Sequence, residues 1–333
     1  MHIPDNYLSP STCAVMTAAA IPAWVHSVKK LKAELPKEKM VLLGVGAAFS
    51  FLGMMFNVPM PGGTTGHAVG GTLIALLLGP EAACIAVTIA LLVQALLFGD
   101  GGILAFGANC FNMSFILPFV GYYSYKLFCK LFKADELGAS KGKKILSAGL
   151  GSYLGINAAA LMAAIEFGIQ PMLFSDAAGQ PLYCPYGLSV SIPAMMIGHL
   201  TIFGLAEVIF TVAIYSFLAA NSSDSFYGEK GFSSIEASHQ GFGSRKAGIL
   251  LGVLMLATPL GLLAAGTAWG EWGIDEMPTM TESFSWNALM PDYTLGGLPE
   301  WVAYILSAVI GVAIVIILFR IIGASMKSKT NYD

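Results

Sequence analysis

The run Pro59-Met60-Pro61-Gly62-Gly63-Thr64-Thr65-Gly66-His67-Ala68-Val69-Gly70-Gly71-Thr72-Leu73-Ile74-Ala75-Leu76-Leu77-Leu78-Gly79-Pro80 passes from a polar, glycine-rich half to an apolar half closed by a Gly-Pro pair. Its apolar part, residues 66–78, offers only about 20 Å of helix against a hydrocarbon core of about 30 Å. If Gly79-Pro80 ends the helix at the inner surface, its start lies well below the outer one. Residues 59–66 then dip into the bilayer as irregular chain. Such backbone survives at that depth only where protein walls it or where it lines a cavity. His67 sits at the tip, and an ionisable group there is a functional candidate.

The rest of the chain fits a polytopic all-α membrane protein. Of 333 residues, 56% are hydrophobic and 11% charged, where a soluble domain carries about 25% charged residues. Apolar runs at residues 12–28, 40–58, 66–78, 82–98, 108–128, 145–169, 188–218, 247–264 and 301–322 predict about nine transmembrane helices. All 17 Lys and Arg fall in or flank the connections after the first, fifth, seventh and ninth runs. The excess of basic residues in inner loops then puts the N-terminus outside and the C-terminus inside. Acidic residues, among them Asp5, Asp100, Asp176, Asp292 and Glu300, fall on the outer side. A negative outer surface concentrates cations, although acid also crowds wherever lysine is avoided.

Residues 221–246 are polar and rich in Ser and Gly, and read as a cytoplasmic linker. They divide a seven-helix body, residues 1–220, from a two-helix extension with an outer loop, residues 247–333. A second polar, glycine-rich break runs from Gly99-Asp100-Gly101-Gly102 to Asn109-Cys110-Phe111-Asn112. It is placed to meet the His67 loop over one site.

The chain begins Met1-His2. An α-amine, the amide nitrogen of residue 2 and the imidazole Nδ1 can close two rings on one metal ion. A plane of nitrogens suits Ni(II) and Cu(II), and low-spin Co(II) less strictly. One further histidine completes the plane, and His67 is the candidate. No basic residue precedes the first apolar run, so no cleavable signal is expected and Met1 keeps its amine. His2 is large, which disfavours trimming of the initiator. Pro4-Asp5-Asn6 favours a turn in which Asn6 takes the left-handed conformation, folding the terminus back before a helix starts at Ser9-Pro10-Ser11. Asp5 is then a candidate to hold the His2 imidazole. Against this stands the ordinary reading of the dipeptide as a frayed terminus.

Other features have plainer readings. The five cysteines form no CxxC pair and read as small buried hydrophobes. Met54, Met55 and Met60 read as packing before they read as thioether ligands. His26 and His199 read as satisfied interior histidines, and His239 as a solvated linker residue. Glu166 and Glu207 lie in apolar runs and read as hydrogen-bonding partners more than as relay groups. Gly44 to Ala48 and Gly151 to Gly155 are small-xxx-small patterns; Gly44 and Ala48 are candidates for docking a further subunit, with packing inside the fold the commoner use. Residues 138–144 lack the spacing of a phosphate loop. No HExxH occurs. These absences argue against a nucleotide motor or a metal hydrolase, and nothing suggests a nucleic-acid partner.

Three separated motifs then carry a resemblance. Met1-His2-Ile3-Pro4-Asp5-Asn6-Tyr7-Leu8-Ser9-Pro10, the His67 loop, and Leu91 to Gly102 with Gly107 to Met113 resemble the CbiM/NikM family over roughly residues 1–220. These are the substrate-binding membrane components of energy-coupling-factor cobalt and nickel transporters. The tail from Thr258 to Trp272 resembles the two-helix extension fused to many of them. The resemblance implies that Met1, His2 and His67 ligate one Co(II) or Ni(II) as transported substrate, with no organic cofactor. It implies a transmembrane coupling protein and two cytoplasmic ATPases as partners, and a prokaryotic cell membrane as the location. Asp5, Asn6, Thr65, Asp100, Asn109 and Asn112 are candidates to support the ligands. Two departures stand out: Asn6 where the family usually has Gly, and Thr65 where it often has Ser. The fused tail leans the choice of metal to cobalt. The chain itself is expected to do no covalent chemistry. An intramembrane metalloenzyme using His67 and Glu207, or a passive cation channel, are the alternatives.

Overall fold

The structure is a computed structural model that describes residues 1–35, 40–61, 63–136, 140–221, 245–264, 268–269 and 284–325. Most of the polar linker, His239 and several of the expected outer acids lie outside these residues.

The chain starts with α1 (Pro10–Glu34), capped where the sequence suggests. The Ser9 hydroxyl accepts the Thr12 amide at 3.0 Å, and Pro10 occupies the first turn. α2 (Met40–Met55) follows, then a two-residue hairpin of β1 (Val58–Pro59) and β2 (Thr65–Gly66). α3 (Gly71–Leu78) has only eight residues, all buried, and spans about 12 Å. Residues 65–70 are therefore buried non-helical chain, as the short apolar run requires, while Pro59, Pro61 and Gly63 before them are exposed. α3 ends at Gly79, whose φ of 92° breaks the helix before Pro80.

α4 (Pro80–Val93) runs on into a π-helical turn, Gln94–Phe98. The second polar loop follows, then α5 (Phe106–Asn109), a π segment Cys110–Ile116, and α6 (Leu117–Leu131). α7 (Lys141–Gly168), the short α8 (Gln170–Leu173) and α9 (Leu188–Gly198) come next. A third π segment, His199–Phe203, leads into α10 (Gly204–Asn221). Wide turns of this kind are frequent at functional sites. The extension comprises α11 (Arg245–Ala257), two 3-10 segments, Thr258–Leu263 and Pro291–Tyr293, and α12 (Glu300–Ser325).

Among the described residues, six helical stretches are long and apolar enough to cross a membrane: residues 10–34, 80–98, 141–173, 188–220, 245–263 and 300–325. The other apolar runs form the shorter α2 and α3 and the interrupted helix of α5 and α6. The outcome is the expected polytopic all-α fold. Many exposed side chains are large and apolar, such as Val15, Leu127, Ile209, Val253 and Ile317, as a lipid-facing surface requires.

α12 lies along α2. A side chain at Gly44 would meet the Ile316 backbone at 3.1 Å, and Ala48 is fully buried. The Gly44–Ala48 face expected to dock another subunit is therefore filled by the chain's own extension. Gly151 and Gly155 of α7 face α6 in the same way. All five cysteines are free and buried, and Met54 and Met55 are core residues. His26 corrects its expected interior placement: its side chain is 63% exposed, 3.5 Å from Glu81, which also pairs with Lys30 at 2.8 Å.

Candidate metal centre

The N-terminal segment is tucked into the bundle. Met1, His2, Ile3, Tyr7 and Leu8 are all buried. Asn6 adopts φ 71°, the left-handed turn expected at that position. Several contacts fix the segment. Asn109 accepts the Ile3 amide at 2.7 Å and donates to the Ile3 carbonyl at 3.0 Å. Gly102 donates to that same carbonyl at 2.8 Å. Asp5 accepts the amides of Ile103 at 3.0 Å and Leu104 at 2.7 Å. The second polar loop is thus laced to the terminus.

His67 arrives from the other side. Its loop is anchored by Glu207 of α10, whose carboxylate accepts the Val69 amide at 2.7 Å and the Gly70 amide at 3.0 Å. These bonds hold Gly70 at φ 72° as the start of α3. His67 Nδ1 lies 3.2 Å from the Ala68 carbonyl. A carbonyl only accepts, so the proton belongs on Nδ1 and leaves Nε2 with a bare lone pair. That Nε2 lies 3.2 Å from His2 Nδ1, with the ring centroids 4.9 Å apart. Both rings are almost fully buried.

A plane of four nitrogens around one ion would leave His67 one particular corner. A terminal amine, an amide nitrogen and Nδ1 take three corners of a square in that order. The fourth lies beside Nδ1 and opposite the amide. Nitrogens about 2 Å from one ion at a right angle stand about 2.8 Å apart. The His2–His67 spacing needs little adjustment to accept an ion. The Met1 amine also lies near enough to act electrostatically on His67 and on His199. No group of three or more His, Cys, Asp or Glu side chains suited to a metal occurs among the described residues.

The carboxylate on His2 is Asp100 and not Asp5: Asp100 Oδ1 lies 3.1 Å from His2 Nδ1, whereas Asp5 is occupied by loop amides. Asn109 supports the site through Ile3. Asn112 stands elsewhere, donating to Glu166 of α7 at 3.0 Å. Thr65 is buried in β2 and, with Met1, His199 and Trp269, lines a small cavity beside the histidines. His199 is a satisfied interior residue, its Nδ1 2.8 Å from the Met195 carbonyl. Glu207 is the hydrogen-bonding partner that its apolar setting suggests, and it serves the loop that carries His67. A carboxylate in an apolar run opposite a glycine-rich loop was the available sign.

The extension reaches this centre too. Asn6 and Phe284 exchange two hydrogen bonds, 2.8 and 3.1 Å. The Trp269 amide donates to the Thr64 hydroxyl at 2.9 Å, and the Trp286 indole to the Leu96 carbonyl at 3.1 Å.

Comparison with known proteins matches this architecture. Residues 2–225 match the family model CbiM, cobalt uptake substrate-specific transmembrane region, and residues 245–328 match the PDGLE domain. The chain is 47% identical to the probable fused nickel transport protein LarMN of Lactiplantibacillus plantarum, covering 96% of this chain and 97% of that one. It is 44% identical to the fused nickel transport protein NikMN of Rhodobacter capsulatus, covering 95% of each. A solved structure titled as a truncated transition metal transporter aligns with a TM-score of 0.61 and 53% identity, over 67% of this chain and all of the other. The chain belongs to the CbiM family of cobalt and nickel transport proteins, with a PDGLE domain fused behind it.

Proposed function

We propose that this protein captures Ni(II) or Co(II) at the outer face of a prokaryotic cell membrane, holding the ion through the Met1 amine, the His2 amide nitrogen and Nδ1, and His67 Nε2. The observation that carries this reading is the buried 3.2 Å approach of His67 Nε2 to His2 Nδ1. In this reading the ion takes the place of the hydrogen between the two rings. A planar nitrogen set disfavours Zn(II), which prefers a tetrahedron, and Mg(II), which prefers six oxygens. Cu(II) would bind at least as tightly, so its exclusion rests on availability. Between the two metals we favour nickel over the cobalt expected from the tail, because the relatives matched over nearly the whole chain are named as nickel transport proteins.

The chain acts as the substrate-binding component of an energy-coupled transporter, with a transmembrane coupling protein and two ATPase subunits as partners. Its body, residues 1–220, holds the ion; residues 221–246 link it to the extension, residues 247–333. Nine crossings with the N-terminus outside fit the distribution of Lys and Arg. An intramembrane metalloenzyme is disfavoured because Glu207, its candidate base, is occupied by two loop amides.

Nickel titration of the purified protein tests the site. His67→Ala, or one residue inserted before His2, is expected to abolish binding, while the wild type gives the visible spectrum of planar, diamagnetic Ni(II). Unchanged affinity in either variant, or an octahedral spectrum, overturns the assignment.

A further inference from the structure

Tyr293 belongs to the extension, yet its hydroxyl reaches the carboxylate that touches His2. It donates to Asp100 Oδ2 and accepts from Gln94 Nε2 at 2.9 Å. Gln94 Nε2 also lies 3.1 Å from Asp100 Oδ2. The other oxygen, Asp100 Oδ1, faces His2 Nδ1 at 3.1 Å. A continuous path therefore runs from Tyr293 through Asp100 to His2.

Tyr293 is firmly seated. Its ring stacks on Phe98 with centroids 4.7 Å apart and 20° between planes, and meets Tyr304 of α12 edge-on. Its carbonyl accepts the Ser307 hydroxyl of α12 at 3.1 Å. Asp292 and Tyr293 both have positive φ, 51° and 59°. Left-handed backbone in two successive residues with side chains is strained, and persists only where surrounding contacts over-determine it. Here those contacts aim one hydroxyl at Asp100.

We propose that Tyr293 is a positioning residue of the metal site: it holds Asp100 against His2, so that the fused extension helps to set the affinity of the body for its ion. Without the hydroxyl, Asp100 keeps only Gln94 on its far oxygen and is free to swing toward the outer loop. The negative charge held beside the ion is then loosened. Loss of a polar partner outside the ligands typically costs about 10–100-fold in metal affinity. This inference rests on the proposed His2–His67 site.

The test is nickel titration of full-length wild type, Tyr293→Phe, Asp100→Asn and the double variant, with the visible spectrum recorded at each end point. Phe keeps the ring packing, and the melting temperature of each metal-free variant reports folding. The expected result is about 10-fold weaker binding in Tyr293→Phe, a shifted nickel absorption band, and no further loss when Tyr293→Phe is added to Asp100→Asn. Unchanged affinity in Tyr293→Phe overturns the proposal while leaving the His2–His67 site intact. So does an equal loss in the Asp100→Asn background, because Tyr293 would then act through packing alone. A wild type that binds no nickel overturns both readings. If Tyr293→Phe melts early, Ser307→Ala, which loosens the backbone of Tyr293 while keeping its hydroxyl, is expected to weaken nickel binding in the same direction, and unchanged affinity there overturns the proposal.

Discussion

Asn109 and Ile3 exchange two hydrogen bonds, so one side chain satisfies both backbone groups of a residue next to a candidate metal ligand. The amide side chain does for Ile3 what a neighbouring strand would do. The terminus cannot fray, because its backbone is paired and its apolar side chains are buried.

Asn109→Ala therefore leaves the buried Ile3 amide without its acceptor. Such a group costs about 1–3 kcal/mol. Calorimetric unfolding is expected to show a loss in that range, with weaker nickel binding. Full nickel affinity in Asn109→Ala would mean that the terminus is held by other contacts.

Asn6 tests the turn separately from the extension. Asn6→Gly keeps the left-handed backbone and loses the side-chain pair with Phe284. Asn6→Ala loses both, and alanine pays about 1–2 kcal/mol more at that φ. Melting temperatures should fall in the order wild type, Asn6→Gly, Asn6→Ala. Equal melting of Gly and Ala variants would count against strain at this turn.

Glu207→Leu removes the acceptor oxygen that the Val69 and Gly70 loop amides share. Each buried N–H then loses its partner, at about 1–3 kcal/mol. Because that loop carries His67, about 10-fold weaker nickel binding is expected from isothermal titration. A variant that binds as tightly as wild type would show that Glu207 does not set the loop.

Gly44→Leu attacks the seam between α2 and α12. The obstructing atom is the Ile316 backbone, which cannot turn away, and overpacking of this kind costs about 1–3 kcal/mol or more. If a protease site is placed in residues 222–244 and cut, the wild-type halves should co-purify and the Gly44→Leu halves should separate. Halves that stay together in the variant would refute a seam at Gly44.

Much of this was legible in the sequence because the bilayer imposes lengths. An apolar run of 13 residues cannot span alone, and the structure answers with an eight-residue α3 and a buried loop. Ser9 as a cap, Asn6 as a left-handed turn and His67 at the loop tip follow from local chemistry. What could not be read depends on which loop folds over which. Asp5 and Asp100 are both acids in polar loops, and only the docking of residues 99–105 over the terminus decides that Asp100 meets His2 and Asp5 meets amides. Asn112 sits one turn beyond Asn109, yet the π segment beginning at Cys110 turns it to Glu166. His26 looked interior because apolar residues surround it in sequence, but its side of α1 faces outward. The Gly44–Ala48 face was legible as a docking surface, but its occupant, α12, lies far along the same chain.

The seam between α2 and α12 has a further consequence that concerns concentration. A separate two-helix partner would have to be found by diffusion and would be lost on dilution. Tethered through a short connection, the extension meets its groove at an effective concentration of about a millimolar. A contact with a dissociation constant of only about a micromolar would then be closed about a thousand times more often than open. The fused chain can therefore use a weak, reversible seam, one that opens without losing its partner.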